Sequence, residues 1–376
     1  MWYQAVLVSL IAILPMNGGG KAASTESQEI SLFLNQVFQD RTQFLVHGKP
    51  DILDNYYNIS EKSSRIARQH ELNRHRYLSA WASKRNIKFT DSKSEVRIVR
   101  QKVTKNTANV VLVHREKLEY YYLNKILQPQ TFGLGTRHIV TLVQTDNNKW
   151  HILREWYLDP LDENPQLIAN HEHQFPEIGE EHSLRDEADH LTTGTSSKIK
   201  YDRIKAVQYA NKYAGLAWGA GNNNRYNPKY RDYTGIGGDC TNFVSQVLGD
   251  PEEGGGLPMS GRWFASLAGG SAAWVRTDGL KNYLLYSGYA RLVDSGVFDH
   301  IMKPKEGHPQ GSIRDLQPGD LIAYELKKGD VDHFAVIVGF DDNGYPLVNC
   351  HTTDRFRVPF DLGWDKHTRY LLLHVR

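Results

Sequence analysis

The chain has 376 residues, of which 40% are hydrophobic and 23% charged. This composition is ordinary for a globular protein, and the length allows two domains. A formal net charge of +2 gives no electrostatic argument for nucleic acid, so we expect no nucleic-acid partner. Only two cysteines are present, Cys240 and Cys350, which excludes a disulfide-based scaffold.

The chain opens with an apolar run over residues 5–16. Its length is typical of a signal-peptide core and too short to span a bilayer comfortably. Small residues follow, with cleavage expected after Ala22 or Ala23. The first four residues carry no Lys or Arg, which leaves an uncleaved anchor or a simple apolar N-terminus as alternatives. We predict a signal peptide over residues 1–23, a secreted or envelope-associated protein, and no transmembrane domain in the mature chain.

Two segments with helical spacing come next, over residues 26–46 and 61–86. From about residue 94 the pattern changes to β-rich segments that run to residue 158. Helices followed by an antiparallel sheet predict an α+β domain over residues 26–158. In element order alone, this domain resembles the cone-shaped fold of the nuclear-transport-factor-two/cystatin-like superfamily.

The first domain shows no convincing catalytic set. His138, His151 and Glu155 lie on predicted strands, and we interpret them as polar residues of a sheet face. Residues 159–197 contain three prolines, many acidic residues and few core formers, which predicts a solvated linker. Its histidines do not follow a zinc-site spacing, so no metal is expected.

The second predicted domain covers residues 198–376. A helix at about 202–215 begins it, a Gly-, Asn- and Tyr-rich loop follows, and several strands close it. The run Asp341-Asp342-Asn343-Gly344 is a strong hairpin signal between two of these strands. Helices that precede an antiparallel sheet again predict an α+β domain.

The most informative stretch is GGDCTNFVSQVL, residues 237–248. Two glycines allow a tight turn, and Asp239 is a good N-cap residue. Cys240 then falls in the first helical turn, where the helix dipole favours negative charge. A thiol there should ionise more readily than a free one, which makes Cys240 a candidate nucleophile. The alternative is an inert buried cysteine.

His333 begins an apolar strand, and the next strand ends with Asn349-Cys350-His351. Period-two alternation puts Asn349 and His351 on one face and Cys350 on the other, as a core residue. Side chains on adjacent strands come close enough to hydrogen-bond. We therefore expect His351, or else Asn349, to bond the His333 imidazole and fix its tautomer.

Five features together resemble the putative amidase domain family of Gram-positive bacteria, which is related to the NlpC-type and CHAP-type cell-wall hydrolases of the papain-like clan. They are YNPKY (226–230), GGDCTNFVSQ (237–246), LQPGD (316–320), His333 on a strand and CHTTD (350–354). The resemblance covers about residues 200–376 and does not extend to the N-terminal domain.

This resemblance implies a papain-like, NlpC-type α+β fold with Cys240 as nucleophile, His333 as base and His351 as the orienting third member. The Cys240 backbone N–H would stabilise the oxyanion. Tyr226 is either a second donor or a structural tyrosine. The segment 250–275 is unusually rich in Gly, Trp and Ala, so the sequence does not identify which residues form the substrate groove.

The sequence thus predicts an exported cysteine amidase or peptidase that cleaves an amide bond, with peptidoglycan as a candidate source of that bond. An acyltransferase at the same site is one alternative, since an amine can replace water in the second step. A non-enzymatic envelope-binding or scaffold protein is another. No cofactor is expected, and the sequence does not identify a partner of the N-terminal domain.

Overall fold

The structure is a computed structural model. The predicted signal peptide, residues 1–23, lies outside the residues that the structure describes, as does most of the predicted linker. Within the described part of the chain, no helix is both long and apolar enough to cross a membrane. The described residues are 25–125, 128–145, 147–161, 163–170, 200–266 and 268–376.

The N-terminal half consists of two long helices and an antiparallel sheet. Helix α1 buries one apolar face through Ile30, Leu34, Val37 and Phe38, in the spacing that the sequence predicts. These residues pack with α2 against the inner face of the sheet. The elements are α1 (Thr25–His47), a 3-10 helix (Pro50–Asn55), α2 (Lys62–Lys84), β1 (Ile87–Thr104), β2 (Thr107–Tyr122), β3 (Gln130–Gln144) and β4 (Trp150–Tyr157), followed by a second 3-10 helix (Pro165–Leu167).

The C-terminal half has its helices mainly before its sheet, so the α+β class predicted for the chain is confirmed. The helices are α3 (Arg203–Lys212), α4 (Cys240–Gly249), α5 (Ala272–Val275), α6 (Thr277–Ser287) and α7 (Phe298–Met302), with 3-10 turns at Asn222–Asn224 and Ser312–Asp315. The strands are β5 (Ala265–Ser266), β6 (Gly269–Gly270), β7 (Ala290–Val297), β8 (Leu321–Glu325), β9 (His333–Phe340), β10 (Pro346–Cys350), β11 (Asp354–Pro359) and β12 (Arg369–Val375).

The two faces of strand β9 bury different cores. Helix α4 packs on the face formed by Phe334, Val336 and Val338. The alternate residues of the strand face a second core, which also contains Cys350. Cys350 therefore points away from α4, as the alternation predicts.

Strand β3 joins the two halves into one sheet. Its first part pairs with β11, through Gly133–Gly135 against Asp354–Phe356. Its later part, from His138, pairs with β4 along the same edge. Within the described residues the strand order is β1-β2-β3-β11-β10-β9-β8-β12-β7, with β4 attached to β3. The two predicted domains thus share a hydrogen-bonded sheet.

A buried ion pair fixes the end of α2 to the C-terminal half. Asp361 accepts hydrogen bonds from Arg85, from Trp81 Nε1 at 2.9 Å and from the Tyr345 hydroxyl at 2.7 Å. The side chains of Arg85 and Asp361 are 2% and 3% exposed. Such a pair is costly to break from one side, because the remaining charge stays buried.

His138 and Glu155 lie on the sheet face that the helices cover, and their side chains are buried. His138 Nδ1 lies 2.7 Å from Glu155 Oε1, and Arg41 bonds both Glu155 and Glu71. Alternation along a strand does not distinguish a solvated face from one that helices cover, so the sequence could not reveal this network. His151 lies outside it, with Nδ1 at 3.2 Å from the Lys149 carbonyl oxygen.

Candidate active site

Cys240 is the first residue of α4, and the turn before it has the predicted conformation. Gly237 and Gly238 have φ of +107° and +114°, a region that favours glycine. Asp239 occupies the predicted N-cap position, but its side chain caps no N–H of the helix. Its Oδ1 accepts instead from the Tyr233 N–H and from Asn242 Nδ2, each at 2.9 Å. Asp239 therefore organises the loop before the helix.

Cys240 is buried, with 8% of the residue exposed. Burial raises its pKa, while hydrogen bonds from the Phe334 N–H and from Thr241 act in the opposite direction and do not offset it. The expectation that the helix start makes this thiol ionise more readily is therefore wrong, because removal from water outweighs the favourable dipole. In this conformation Cys240 is a neutral thiol at neutral pH.

His333 is the first residue of β9 and is 9% exposed. Burial, together with the nearby positive charge of Arg355, lowers its pKa to about 3. Its ring lies 5.7 Å from the rings of both Tyr324 and Trp364. His333 is thus a neutral imidazole at neutral pH and can accept a proton.

The structure places Cys240 beside the start of the strand that carries His333. Helix α4, which begins at Cys240, packs against strand β9, which begins at His333. Among the described residues, His333 has no hydrogen-bond partner, and its ring lies with Tyr324 on the side of the sheet opposite the α4 core. The two predicted catalytic residues are neighbours without a direct hydrogen bond.

His351 does not orient His333, so this predicted contact is wrong. Its Nε2 donates to the Tyr213 carbonyl oxygen at 2.7 Å, and its Nδ1 lies 2.6 Å from Asp239 Oδ2. Because a carbonyl oxygen only accepts, Nε2 carries a hydrogen, and a second one lies between Nδ1 and the carboxyl group of Asp239. His351 therefore fixes the residue that precedes Cys240.

The alternative orienting residue, Asn349, is also fully engaged elsewhere. Its Nδ2 donates to the Ala210 carbonyl at 3.0 Å and to Asn211 Oδ1 at 2.9 Å, while its Oδ1 accepts from the Arg357 N–H at 2.7 Å. These bonds join β10 to α3 and β11. Asn349 supports the sheet rather than the imidazole of His333.

Tyr226 is committed to a structural contact. Its hydroxyl donates to Asp354 Oδ1 at 2.6 Å and accepts from Arg137 Nη2 at 3.0 Å. Since its one hydroxyl hydrogen is used in this bond, Tyr226 takes the structural of its two predicted roles and is not an oxyanion donor. Its ring stacks on His351, with centroids 3.8 Å apart. Asp354 ends the CHTTD motif and could have been singled out from it, whereas nothing in the sequence linked Arg137 to this site.

Residues 200–373 match a family model described as "Putative amidase domain". The resemblance predicted for the C-terminal half is confirmed by this match. It supports an amidase-like hydrolase role and an amide-containing substrate.

Two proteins of Bacillus subtilis (strain 168) are similar to the chain. Uncharacterized protein YhbB is 31% identical over 188 residues, which are 47% of this chain and 51% of that protein. Uncharacterized protein YjcM is 28% identical over 169 residues, which are 45% of this chain and 35% of that protein. The chain thus spans about half or less of the length of these relatives.

One solved structure, the intermembrane space region of the chloroplast protein ARC6, aligns with 36% of this chain and 98% of its own. Its TM-score is 0.25 at 10% identity, and it supports no argument about fold or function here.

Proposed function

We propose that this protein is a cysteine amidase in which Cys240 is the nucleophile and His333 is the general base. The observation that supports this most is the packing of α4, which begins at Cys240, against strand β9, which begins at His333. A cysteine at a helix start beside a neutral histidine is the combination that cysteine acyl transfer needs. The papain-like character of the domain is part of the same proposal.

The reaction proceeds through a thioester. On substrate binding, the His333 ring turns from its position beside Tyr324 toward the thiol. The Cys240 sulfur then attacks the carbonyl carbon of the amide as its proton passes to His333, and the oxyanion is stabilised by the Cys240 backbone N–H. The carbon–nitrogen bond then breaks, and the leaving amine takes the proton from His333. Water, deprotonated by the same imidazole, hydrolyses the thioester and restores the thiol.

The charges of the free enzyme set a condition on this mechanism. Burial is the main reason that the pKa of His333 falls from 6.5 to about 3, which corresponds to about 5 kcal/mol against protonating it. The buried thiol also resists ionisation. A thiolate–imidazolium pair is therefore not the resting state, and proton transfer accompanies attack on the bound substrate.

We further propose export and a substrate in the cell wall. Support comes from the apolar run at residues 5–16, the small residues after it and the resemblance of the motifs in the C-terminal half to a family related to cell-wall hydrolases. Sequencing the N-terminus of the protein recovered from culture medium tests export. The expected mature chain begins after Ala22 or Ala23, and recovery only in the cell interior would contradict it.

The decisive experiment incubates the full-length protein with purified cell walls and identifies the released fragments by mass spectrometry. Cys240→Ala should release none, and His333→Ala should reduce release by about 10²-fold or more. Cys350→Ala is the matched control, since it removes the other thiol, whose sulfur faces the opposite core. Equal release by the wild type and Cys240→Ala would refute the cysteine mechanism. Products that carry an added amine would instead identify an acyltransferase.

A further inference from the structure

The N-terminal half contacts the proposed active site through strand β3. At Gly133 and Gly135, β3 runs so close to the loop around residues 216–218 that side chains have no room. A Cβ on Gly133 would lie 1.9 Å from the Trp218 carbonyl oxygen, and one on Gly135 would lie 2.5 Å from the Leu216 carbonyl carbon. These two glycines allow strand β3 to pack directly against this loop of the C-terminal half.

Arg137 follows on the same face of β3, two residues after Gly135. Its Nη2 donates to the Tyr226 hydroxyl at 3.0 Å, and its Nη1 lies 3.5 Å from Asp354 Oδ2. The Asp354 side chain is fully buried and also accepts from the Leu216 N–H at 2.8 Å. The Arg137 guanidinium therefore provides a countercharge to a buried carboxylate of the other half.

The contact continues from Tyr226 to the start of α4. The Tyr226 ring covers one face of the His351 imidazole at 3.8 Å, with only 14° between the planes. Phe243 covers the other face at 4.0 Å. Held in this sandwich, His351 bonds Asp239, the residue before Cys240. An unbroken series of contacts thus leads from β3 to the proposed nucleophile.

We propose that Arg137 is a positioning residue of the active site, which the N-terminal half supplies to hold Tyr226, and through it His351 and the start of α4, in place. This inference rests on the proposed function of Cys240. It assigns the N-terminal half a direct part in building the site. Loss of Arg137 leaves Asp354 without this ion pair and removes one donor to the Tyr226 hydroxyl. The fixed environment of the Cys240 thiol is thereby loosened.

The test measures alkylation of Cys240 by iodoacetamide in the full-length Cys350→Ala protein, where Cys240 is the remaining cysteine. We expect Arg137→Met to change the rate at pH 8 by at least about threefold and to shift its pH dependence, because the thiolate is the reacting species. Arg137→Lys should restore most of the parental rate. Arg154→Met, at an exposed arginine of β4, is the matched control and should match the parent.

Tyr226→Phe is a second variant, should Arg137→Met fail to fold. It keeps the ring on His351 but removes the hydroxyl that Arg137 and Asp354 share, so it should change the rate in the same direction. Parental rates and pH profiles in folded Arg137→Met or Tyr226→Phe would overturn the inference. Alkylation needs no substrate, so a failure of positioning is distinguished from a failure of the cell-wall assay, which tests the function itself.

Discussion

Removal of the Asp361 carboxylate should destabilise both halves of the chain at once. In Asp361→Ala, the Arg85 guanidinium stays buried without its countercharge. The Trp81 Nε1–H and the Tyr345 hydroxyl also lose the carboxylate to which they donate. Breaking a buried pair from one side costs about 3–5 kcal/mol. That is a large part of the roughly 5–15 kcal/mol by which a folded domain is stable.

Urea unfolding followed by hydrogen-exchange mass spectrometry measures this effect in each half. We expect peptides from α2 and from β9–β12 to lose protection together, at a lower urea concentration than in the wild type, because one sheet contains strands from both halves. Asp91→Asn, at an exposed acidic residue of β1, should leave the transition unchanged. A cost below about 1 kcal/mol, or a loss of protection confined to α2, would refute the reasoning.

Three further predictions concern the thiol, the buried charges and the glycine junction. Because burial raises the pKa of Cys240, its alkylation rate should rise about tenfold per pH unit from pH 7 upward, and a plateau near pH 6 would contradict this. Burial acts to raise the pKa of Glu71, but neighbouring arginines outweigh it and lower the pKa from 4.5 to about 2. The ionised Glu71 carboxylate therefore stabilises the folded state fully above pH 4.5, and this stabilisation is lost as the pH falls toward 2. In acid unfolding, the free-energy difference between the wild type and Glu71→Gln should shrink by about 3 kcal/mol across that window, and a constant difference would count against it. Gly133→Ala should lower the free energy of unfolding by about 1–3 kcal/mol in thermal unfolding, because the new Cβ meets the Trp218 carbonyl oxygen. A Cβ on Gly235 would lie in open space, so Gly235→Ala should leave the stability unchanged.

Local patterns in the sequence predicted the local structure well. Helical spacing identified the buried face of α1, and the glycines before Cys240 marked a turn with positive φ. Alternation on β10 separated Asn349 and His351 from Cys350. Each of these features depends on residues that are near one another in the chain, which is the range over which periodicity and turn chemistry operate.

What the sequence could not provide are the partners that the tertiary fold brings together. His351 was expected to bond the neighbouring strand, but its partners come from the loops around Tyr213 and Asp239, more than 100 positions away. The pKa of Cys240 was expected to fall because of the helix start, but packing against β9 decides it instead. A short pattern does not specify how deeply a side chain is buried.

Two long-range ion pairs, together with the shared sheet, connect the two halves of the chain. In both, the arginine lies in the N-terminal half and the buried aspartate in the C-terminal half: Arg85 with Asp361, and Arg137 with Asp354. Without the N-terminal half, each aspartate would lose this ion pair, and strand β11 would present an unpaired edge where β3 now binds. The C-terminal half is therefore completed, in charge and in backbone hydrogen bonding, by the N-terminal half, and the second of these ion pairs lies against the ring that holds His351 beside Cys240.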